Sequence, residues 1–239
     1  MTAESRTPPK ETSLSSEDLA RRIDHTLLKA EATREHILRL CEEARTCGFG
    51  AVCVNGRWVS TAAEALHRSG VRVASVVGFP LGADTTRAKV AQTKEAIHDG
   101  ADEIDVVADL AAIIEGDTRY LLRQLLAVWN VCRSMRPPVL LKVIIESAAL
   151  TAEQKILACR IAEQVGADFV KTSTGLHPAG GATVEDVRLI RETSQRYKIK
   201  ASGGIRTAQQ ALAMIEAGAE RIGTSAGVQI VEELRAAGR

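Results

Sequence analysis

Four short apolar segments of the sequence each carry one ionisable side chain that could take part in chemistry. Asp105 lies in segment 103–107 and Lys142 in segment 139–145. Lys171 and Lys200 each end an apolar run and precede a turn with hydroxyl or glycine residues. Removing an ammonium group from water is costly, so lysines at these positions indicate a functional role. Lys142 taken alone is also compatible with a packed stem and a charge that reaches water.

Lys171 and Lys200 are expected on neighbouring strands, which lie roughly 4.8 Å apart. Two ammonium groups at roughly 5 Å repel each other by about 3 kcal/mol at an effective dielectric constant of about 20. That repulsion would lower the pKa of one amine by roughly two and leave it largely neutral near physiological pH. A neutral amine can attack a carbonyl and form a Schiff base, and Asp105 could pass protons through a water molecule. These are the parts of an imine-forming aldolase.

Two glycine- and hydroxyl-rich loops follow the last two predicted strands, at 202–206 (Ser-Gly-Gly-Ile-Arg) and 223–227 (Gly-Thr-Ser-Ala-Gly). Glycine lets backbone N–H groups approach an anion closely, and barrel enzymes often bind a substrate phosphate at these two loops. Gly-Gly is also common in ordinary turns, but two such loops in these places favour phosphate binding. Arg206 either adds charge there or pairs with a surface acid.

A regular alternation of strands and helices must position these residues. Seven segments have the length and β-branched content of strands, and segment 23–26 is an eighth if it is counted. Alternation on this scale favours an α/β fold of the single-domain (β/α)8 TIM-barrel type. An open doubly wound sheet is the alternative, but no GxGxxG fingerprint opens it. In a barrel, Lys142 should point inward, because its strand is otherwise apolar.

Composition excludes several classes of protein. The chain has 239 residues, of which 45% are hydrophobic, and a net charge of +1. That charge gives no electrostatic basis for binding nucleic acid or a membrane surface, and no apolar run approaches the roughly 20 residues of a membrane span. Five cysteines without a zinc-like spacing argue against a metal site and favour reduced thiols in the cytoplasm. Segment 1–16 has no signal-peptide core and is predicted to be a flexible tail before a barrel domain at 17–239.

Several segments taken together resemble one family. The four that carry the candidate residues are Asp102-Glu103-Ile104-Asp105-Val106-Val107, Leu140-Leu141-Lys142-Val143-Ile144-Ile145-Glu146, Phe169-Val170-Lys171-Thr172-Ser173-Thr174-Gly175 and Lys200-Ala201-Ser202-Gly203-Gly204-Ile205-Arg206. Together with segments 23–28, 51–55 and 76–82 they resemble the deoxyribose-phosphate aldolase family. The resemblance spans nearly the whole chain from about Leu19, and Lys-Thr-Ser-Thr-Gly at 171–175 is quite specific in that combination.

The resemblance implies a class I aldolase that needs no metal or organic cofactor. It implies that Lys171 forms the Schiff base, that Lys200 perturbs it, and that Asp105 joins a proton relay through water. Asp24 matches an acidic position near the lysines and, like Lys142, is expected to have a supporting role. Positions that match residues holding the phosphate and sugar are Thr174, Gly175, Gly203, Gly204, Gly223, Thr224 and Ser225.

The family reaction is the reversible cleavage of 2-deoxy-D-ribose 5-phosphate to acetaldehyde and D-glyceraldehyde 3-phosphate, a step of deoxyribose phosphate catabolism. The resemblance therefore implies small sugar phosphates and aldehydes as partners, and a homodimer or larger homo-oligomer. Two departures concern the pocket. Leu176 stands where some members carry a lysine that helps to bind phosphate, and no tyrosine follows Tyr197, so the C-terminal tyrosine of some members is absent.

Two other functions compete with the imine-forming aldolase. One is a phosphate-binding barrel isomerase or synthase whose lysines act only as charges. The other is a sugar-phosphate-binding protein without turnover. The complete set of Asp105, Lys171 and Lys200 favours the aldolase, which predicts that borohydride and substrate trap a covalent adduct on Lys171.

Overall fold

Eight short strands alternate with helices along residues 14–238, the part of the chain that the computed structural model describes. The strands are Ile23–Leu27 (β1), Ala51–Val54 (β2), Arg72–Val77 (β3), Glu103–Val107 (β4), Leu140–Ile144 (β5), Phe169–Lys171 (β6), Lys198–Ser202 (β7) and Arg221–Thr224 (β8). Neighbours in sequence pair in parallel, and β8 pairs with β1, so the sheet closes into a barrel. The predicted (β/α)8 barrel is confirmed, and the segment at 23–26 is its first strand.

Ten α-helices lie in the described residues. They are Ser16–Ala20 (α1), Arg34–Cys47 (α2), Val59–Ala65 (α3), Thr86–His98 (α4), Leu110–Glu115 (α5), Thr118–Ser134 (α6), Ala152–Val165 (α7), Val184–Thr193 (α8), Ala208–Glu216 (α9) and Gly227–Ala237 (α10). Threonine side chains cap five of them by accepting a hydrogen bond from the first turn: Thr33, Thr85, Thr151, Thr183 and Thr207. Such a cap stabilises a helix by about 1 kcal/mol, so these loops end at defined residues.

The hydrophobic core lies mainly between the sheet and the ring of helices. Strand residues of one parity, such as Val52, Ile104 and Val170, belong to this core together with helix residues such as Leu125. The opposite parity faces the barrel interior. There Cys53, Ala74 and Val76 form a small separate apolar cluster. Buried charged side chains, among them Asp105, Lys142 and Lys200, also lie inside the barrel, so the interior is the place where chemistry is expected.

Three sequence predictions need comment. Helices α5 and α10 were not predicted, although Ile230, Val231 and Leu234 of α10 have helical spacing. The predicted tail at 1–16 falls largely on residues 1–13, which lie outside the described residues, and Ser16 already begins α1 with Ser15 as its cap. Within residues 14–238, no helix is both long and apolar enough to cross a membrane.

Candidate active site

Lys171 is the last residue of β6 and points into the barrel. Phe169, two residues earlier, shares its face, whereas Val170 between them packs in the outer core, as strand alternation predicts. Lys171 is only 2% exposed. It lies at the C-terminal end of its strand, the end of a barrel at which (β/α)8 enzymes carry their reacting groups.

Asp105 on β4 binds the three interior lysines at once. Its Oδ2 accepts hydrogen bonds from Lys171 Nζ at 2.9 Å and from Lys200 Nζ at 2.8 Å. Its Oδ1 accepts one from Lys142 Nζ at 2.7 Å. Register brings these groups together, because Lys171 is the partner of Lys200 and Asp105 is the partner of Lys142 in the sheet. The four ionisable residues selected from the sequence therefore form a single cluster.

Asp24 on β1 also belongs to this cluster. Its Oδ2 lies 2.5 Å from Lys200 Nζ and 3.6 Å from Lys142 Nζ, and its Oδ1 accepts a hydrogen bond from Arg221 Nε at 2.7 Å. The predicted position near the lysines is thus where the structure places it. Its contacts reach Lys200, Lys142 and Arg221, and none is made with Lys171 among the described residues.

Sequence reasoning missed two further members, Glu103 and Arg221. Glu103 Oε2 lies 2.5 Å from Lys142 Nζ as an ion pair, and Oε1 lies 3.4 Å from Arg221 Nη1. A signal for Glu103 was present, because it is two residues before Asp105 and so shares the inward face. We call the whole set the interior ion network; it consists of Asp24, Glu103, Asp105, Lys142, Lys171, Lys200 and Arg221.

The carboxylates of the network stay ionised although they are buried. Burial alone would raise the pKa of Asp105, but Lys142, Lys171 and Lys200 hold it well below its usual range. Burial likewise opposes the charge on Lys200, yet the carboxylates of Asp105 and Asp24 raise its pKa. The same balance, with Asp105 and Glu103 as partners, raises the pKa of Lys142. Lys142 and Lys200 are therefore held as cations.

The electrostatic prediction for Lys171 and Lys200 was incomplete. It considered two ammonium groups facing each other, whereas one carboxylate oxygen of Asp105 accepts from both. Lys171 still differs from the other two lysines. Within residues 14–238 it has one carboxylate within 4.0 Å, while Lys200 has two and Lys142 has three. Lys171 is consequently the lysine of the cluster with the fewest carboxylate contacts.

The loop after β6 is held from two sides. Glu146, which follows β5 with a φ of +53°, accepts hydrogen bonds from the Thr174 N–H at 3.1 Å and from Thr174 Oγ1 at 2.5 Å. On the other side Gly175 faces Gly203, and a Cβ added to Gly203 would lie 3.2 Å from Gly175 Cα. Both glycines have positive φ, a conformation that glycine adopts without strain, and this allows the loops after β6 and β7 to touch.

The loops after β7 and β8 are also joined at the same end of the barrel. Thr224 Oγ1 donates to the Ile205 carbonyl at 2.7 Å and accepts from the Ala226 N–H at 2.9 Å. Gly204 and Ser225 are exposed on these loops. Five of the seven predicted phosphate and sugar residues thus lie in adjacent loops that follow β6, β7 and β8, and the other two, Gly223 and Thr224, are the last residues of β8.

Two exposed side chains flank these loops. Arg206 has no carboxylate within 4.0 Å among residues 14–238, so the predicted alternative of a surface ion pair is not supported there. Leu176 is 61% exposed and offers no charge to an anion.

Cys53 is the interior thiol next to the network. Its Sγ lies 3.9 Å from Asp105 Oδ2, and burial raises the pKa of the thiol. This agrees with a packed, protonated side chain.

Comparison with known proteins relates the chain to one family. Residues 19–233 match the model of the DeoC/LacD family aldolases. The chain is 52% identical over 216 residues to a deoxyribose-phosphate aldolase of Geobacillus sp. (strain WCH70), which covers 90% of the chain and 95% of that relative. Identity to the enzyme of the same name from Thermococcus gammatolerans is 54% over 221 residues, covering 91% and 97%. Among solved structures, the tetrameric deoxyribose phosphate aldolase of Aeropyrum pernix is 32% identical with a TM-score of 0.87, covering 93% of each chain.

Proposed function

The chain belongs to the DeoC/LacD family of aldolases, and we propose that it cleaves 2-deoxy-D-ribose 5-phosphate reversibly to acetaldehyde and D-glyceraldehyde 3-phosphate through a Schiff base on Lys171. The observation that carries the proposal is the Asp105 carboxylate, whose Oδ2 accepts hydrogen bonds from Lys171 at the C-terminal end of β6 and from Lys200 in the middle of β7. The two relatives from Geobacillus and Thermococcus are named for this activity, and each aligns with about nine-tenths of the chain.

The contacts described above support the following proposed roles. Neutral Lys171 Nζ adds to C1 of the open-chain aldehyde, and loss of water gives the protonated imine. The C3 hydroxyl then gives its proton to water held by Asp105, the C2–C3 bond breaks, and its electron pair moves into the imine. D-Glyceraldehyde 3-phosphate leaves, the enamine is protonated at C2, and water releases acetaldehyde. Lys200, held as a cation by Asp24 and Asp105, keeps positive charge beside the reacting nitrogen, which favours neutral Lys171 over its ammonium form.

The three joined loops are proposed to hold the phosphate. Backbone N–H groups of Gly203 and Gly204, with the hydroxyl of Ser225, would provide donors, and α10 begins directly after the loop of β8. A helix N-terminus favours an anion. Thr174 would be kept in place for the sugar by its two hydrogen bonds to Glu146.

Assembly and location belong to the same proposal. We place the chain in the cytoplasm as a homo-oligomer, in keeping with its five unpaired cysteines and with the tetrameric relative. Reducing compartments disfavour disulfides. Light scattering coupled to size-exclusion chromatography would give the mass in solution, and a monomer at working concentration would reject the oligomer.

The Schiff base is tested by trapping. The wild-type chain is incubated with acetaldehyde and borohydride and then digested, and the peptide with Lys171 should carry the reduced ethyl adduct. Chains treated without aldehyde and a Lys171→Met variant should stay unmodified at that peptide. Turnover of the sugar phosphate without any trapped adduct would instead support the isomerase or synthase whose lysines act only as charges. Binding of the sugar phosphate with neither turnover nor adduct would support the binding protein.

A further inference from the structure

Glu103 and Arg221 are buried charged residues that take no part in the proposed steps. Glu103 is fully buried and Arg221 is 8% exposed. Neither has Lys171 among its ion-pair partners in the described residues. Glu103 precedes Asp105 by two residues and Arg221 begins β8, so both lie on the N-terminal side of the reacting amine. Burying such charges has a desolvation cost, so a role for the two residues is expected.

Their contacts form a closed ring below Asp105. Arg221 donates to Asp24 and lies 3.4 Å from Glu103. Lys142 Nζ lies 2.5 Å from Glu103 Oε2 and 3.6 Å from Asp24 Oδ2, and the second contact closes the ring. Lys142 also donates to Asp105, the residue that holds Lys171. Lys142 is therefore one contact, Asp24 and Glu103 are two contacts, and Arg221 is three contacts from the carboxylate that binds the reacting amine.

The charges of the interior ion network do not balance. With every group ionised it holds four cations (Lys142, Lys171, Lys200 and Arg221) against three carboxylates (Asp24, Glu103 and Asp105). The network therefore carries one surplus positive charge. Lys171 has the fewest carboxylate contacts of the three lysines, so this surplus is least compensated at Lys171.

We infer that Glu103 and Arg221 are positioning residues that act through Lys142 and Asp24 and set the pH at which Lys171 gives up its proton; this inference rests on the proposed Schiff-base function. The step is loss of one proton from the Lys171 ammonium group to solvent water. It leaves the nitrogen lone pair free to attack the carbonyl carbon. Arg221 provides the surplus positive charge, and Glu103 keeps Lys142 charged.

Other titratable groups face the same region and are left unchanged in the Glu103 and Arg221 variants. Cys53 on β2 lies 3.9 Å from Asp105. Arg72 on β3 lies 3.1 Å from Glu103, but its side chain is 54% exposed. Glu146 after β5 is occupied with Thr174.

The test uses two variants that remove charges of opposite sign. Glu103→Gln increases the positive surplus, so the pH midpoint of adduct formation with acetaldehyde and cyanoborohydride should fall by about one pH unit. Arg221→Gln removes the surplus, so the midpoint should rise by about the same amount. One charge at about 10 Å has an effect of this size at an effective dielectric constant of about 20. A solely structural role would lower the adduct yield of both variants without moving the midpoints apart.

Arg72→Gln is the matched control, because it touches the same carboxylate from a solvent-exposed position where charge is screened; its midpoint should stay within about 0.3 pH unit of wild type. Glu103→Asp and Arg221→Lys keep the charges and should restore the wild-type midpoint. The inference is overturned if the pH midpoints of Glu103→Gln and Arg221→Gln do not move, or if both move in the same direction. In either case an adduct on the wild-type chain would still support the proposed function. Absence of a wild-type adduct at every pH would defeat the function itself.

A measurement on the wild-type chain tests the inference even if the variants do not fold. Nitrogen-15 NMR of the lysine side chains should show one interior amine titrating over the pH range in which the adduct forms. Two interior amines should remain charged well above that range. Interior amines that titrate together overturn the inference.

Discussion

Lys171 and Lys200 are register partners on adjacent strands, and a single oxygen, Oδ2 of Asp105, accepts a hydrogen bond from each amine. Lys200 is also held by Asp24 at 2.5 Å, whereas Lys171 has no second carboxylate within 4.0 Å among residues 14–238. The two lysines therefore differ in their carboxylate partners although they are register partners in the sheet. This inequality supports the proposal that Lys171 is the nucleophile and that Lys200 is the fixed charge.

Lys200→Leu should lower kcat/KM at least about 100-fold, the lower limit usual for removing a group that assists proton transfer or charge stabilisation. The chain should still fold, because leucine fills part of the space, and circular dichroism would check this. Lys198→Leu on the same strand is the control, because its side chain is exposed, and it should keep wild-type turnover. Full activity of Lys200→Leu would remove the account of lysine activation.

Asp105→Asn should abolish most activity and also destabilise the chain. Three ammonium groups lose their shared carboxylate, and breaking a buried ion pair from one side costs about 3–5 kcal/mol. Lysines hold the pKa of Asp105 well below normal, so its stabilisation is present above the unfolded value near 4 and is lost as the pH falls below it. Urea unfolding should thus show a gap between wild type and variant that narrows on acidification. An equal gap at neutral and acid pH would contradict this.

The barrel and the clustering of Asp105, Lys142, Lys171 and Lys200 could be predicted from the sequence, because both depend on local pattern. Strand and helix periods alternate along the chain, and a lysine at the end of an apolar strand stands out by type alone. Glu103 follows the same inward alternation as Asp105, so the strand period also carries a signal for this residue. The placing of Asp105 between two lysines depends on the stagger of strands around the barrel, which residue types do not encode.

Glu146 shows what lay beyond sequence reasoning. Its φ of +53° is unusual for a residue with a side chain, and its two hydrogen bonds to Thr174 form between loops 28 residues apart. No local sequence motif predicts the positive φ of Glu146 or its hydrogen bonds to Thr174. Helix α10 is a different case, because the helical spacing of its apolar residues after residue 227 is present in the sequence and could have predicted it.

Gly223→Ala should reduce turnover by about 10- to 100-fold. An added Cβ would lie 2.9 Å from Ser202 Cβ and 3.0 Å from Lys200 Cε, so the Lys200 side chain must move, and small misplacements of catalytic groups can cost 100-fold. Gly56→Ala is the control, because an added Cβ there meets no atom within 4 Å. Steady-state kinetics compare the two variants, and equal rates for both would show that Lys200 tolerates the shift.

Leu176→Lys should lower KM for the sugar phosphate about 1.5- to 5-fold with kcat unchanged, because an exposed ion pair contributes about 0.2–1 kcal/mol. The gain should shrink as salt is added, since ions screen the new charge. Leu176 is 61% exposed beside Gly175 and accepts substitution without repacking. Leu38→Lys, on α2 at 38% exposure, adds the same charge away from the loops. The same change in KM for both variants would argue against a phosphate beside residue 176.

Lys89 is a buried lysine that the proposed reaction does not use. From α4 its Nζ donates to the Val107 carbonyl at 2.8 Å and to Gln124 Oε1 at 2.7 Å, which ties the end of β4 to α6. No carboxylate lies within 4.0 Å of it in the described part of the chain. Burial lowers the pKa of Lys89 to about 8, against opposing effects of Asp109 and Asp84.

Unfolding of wild type compared with Lys89→Met should reveal this lowered pKa. Between about pH 10 and pH 8 the unfolded chain binds a proton at residue 89 that the folded chain refuses, so the folded state loses stability as the pH falls through that window. Raising the pH from about 7.5 to about 9.5 should therefore stabilise wild type by about 2 kcal/mol relative to Lys89→Met, because all other groups titrate alike in both chains. Lys94→Met, in the same helix but exposed, should show no such pH dependence. A constant difference between wild type and Lys89→Met over this range would mean that the buried amine keeps an ordinary proton affinity through its two hydrogen bonds.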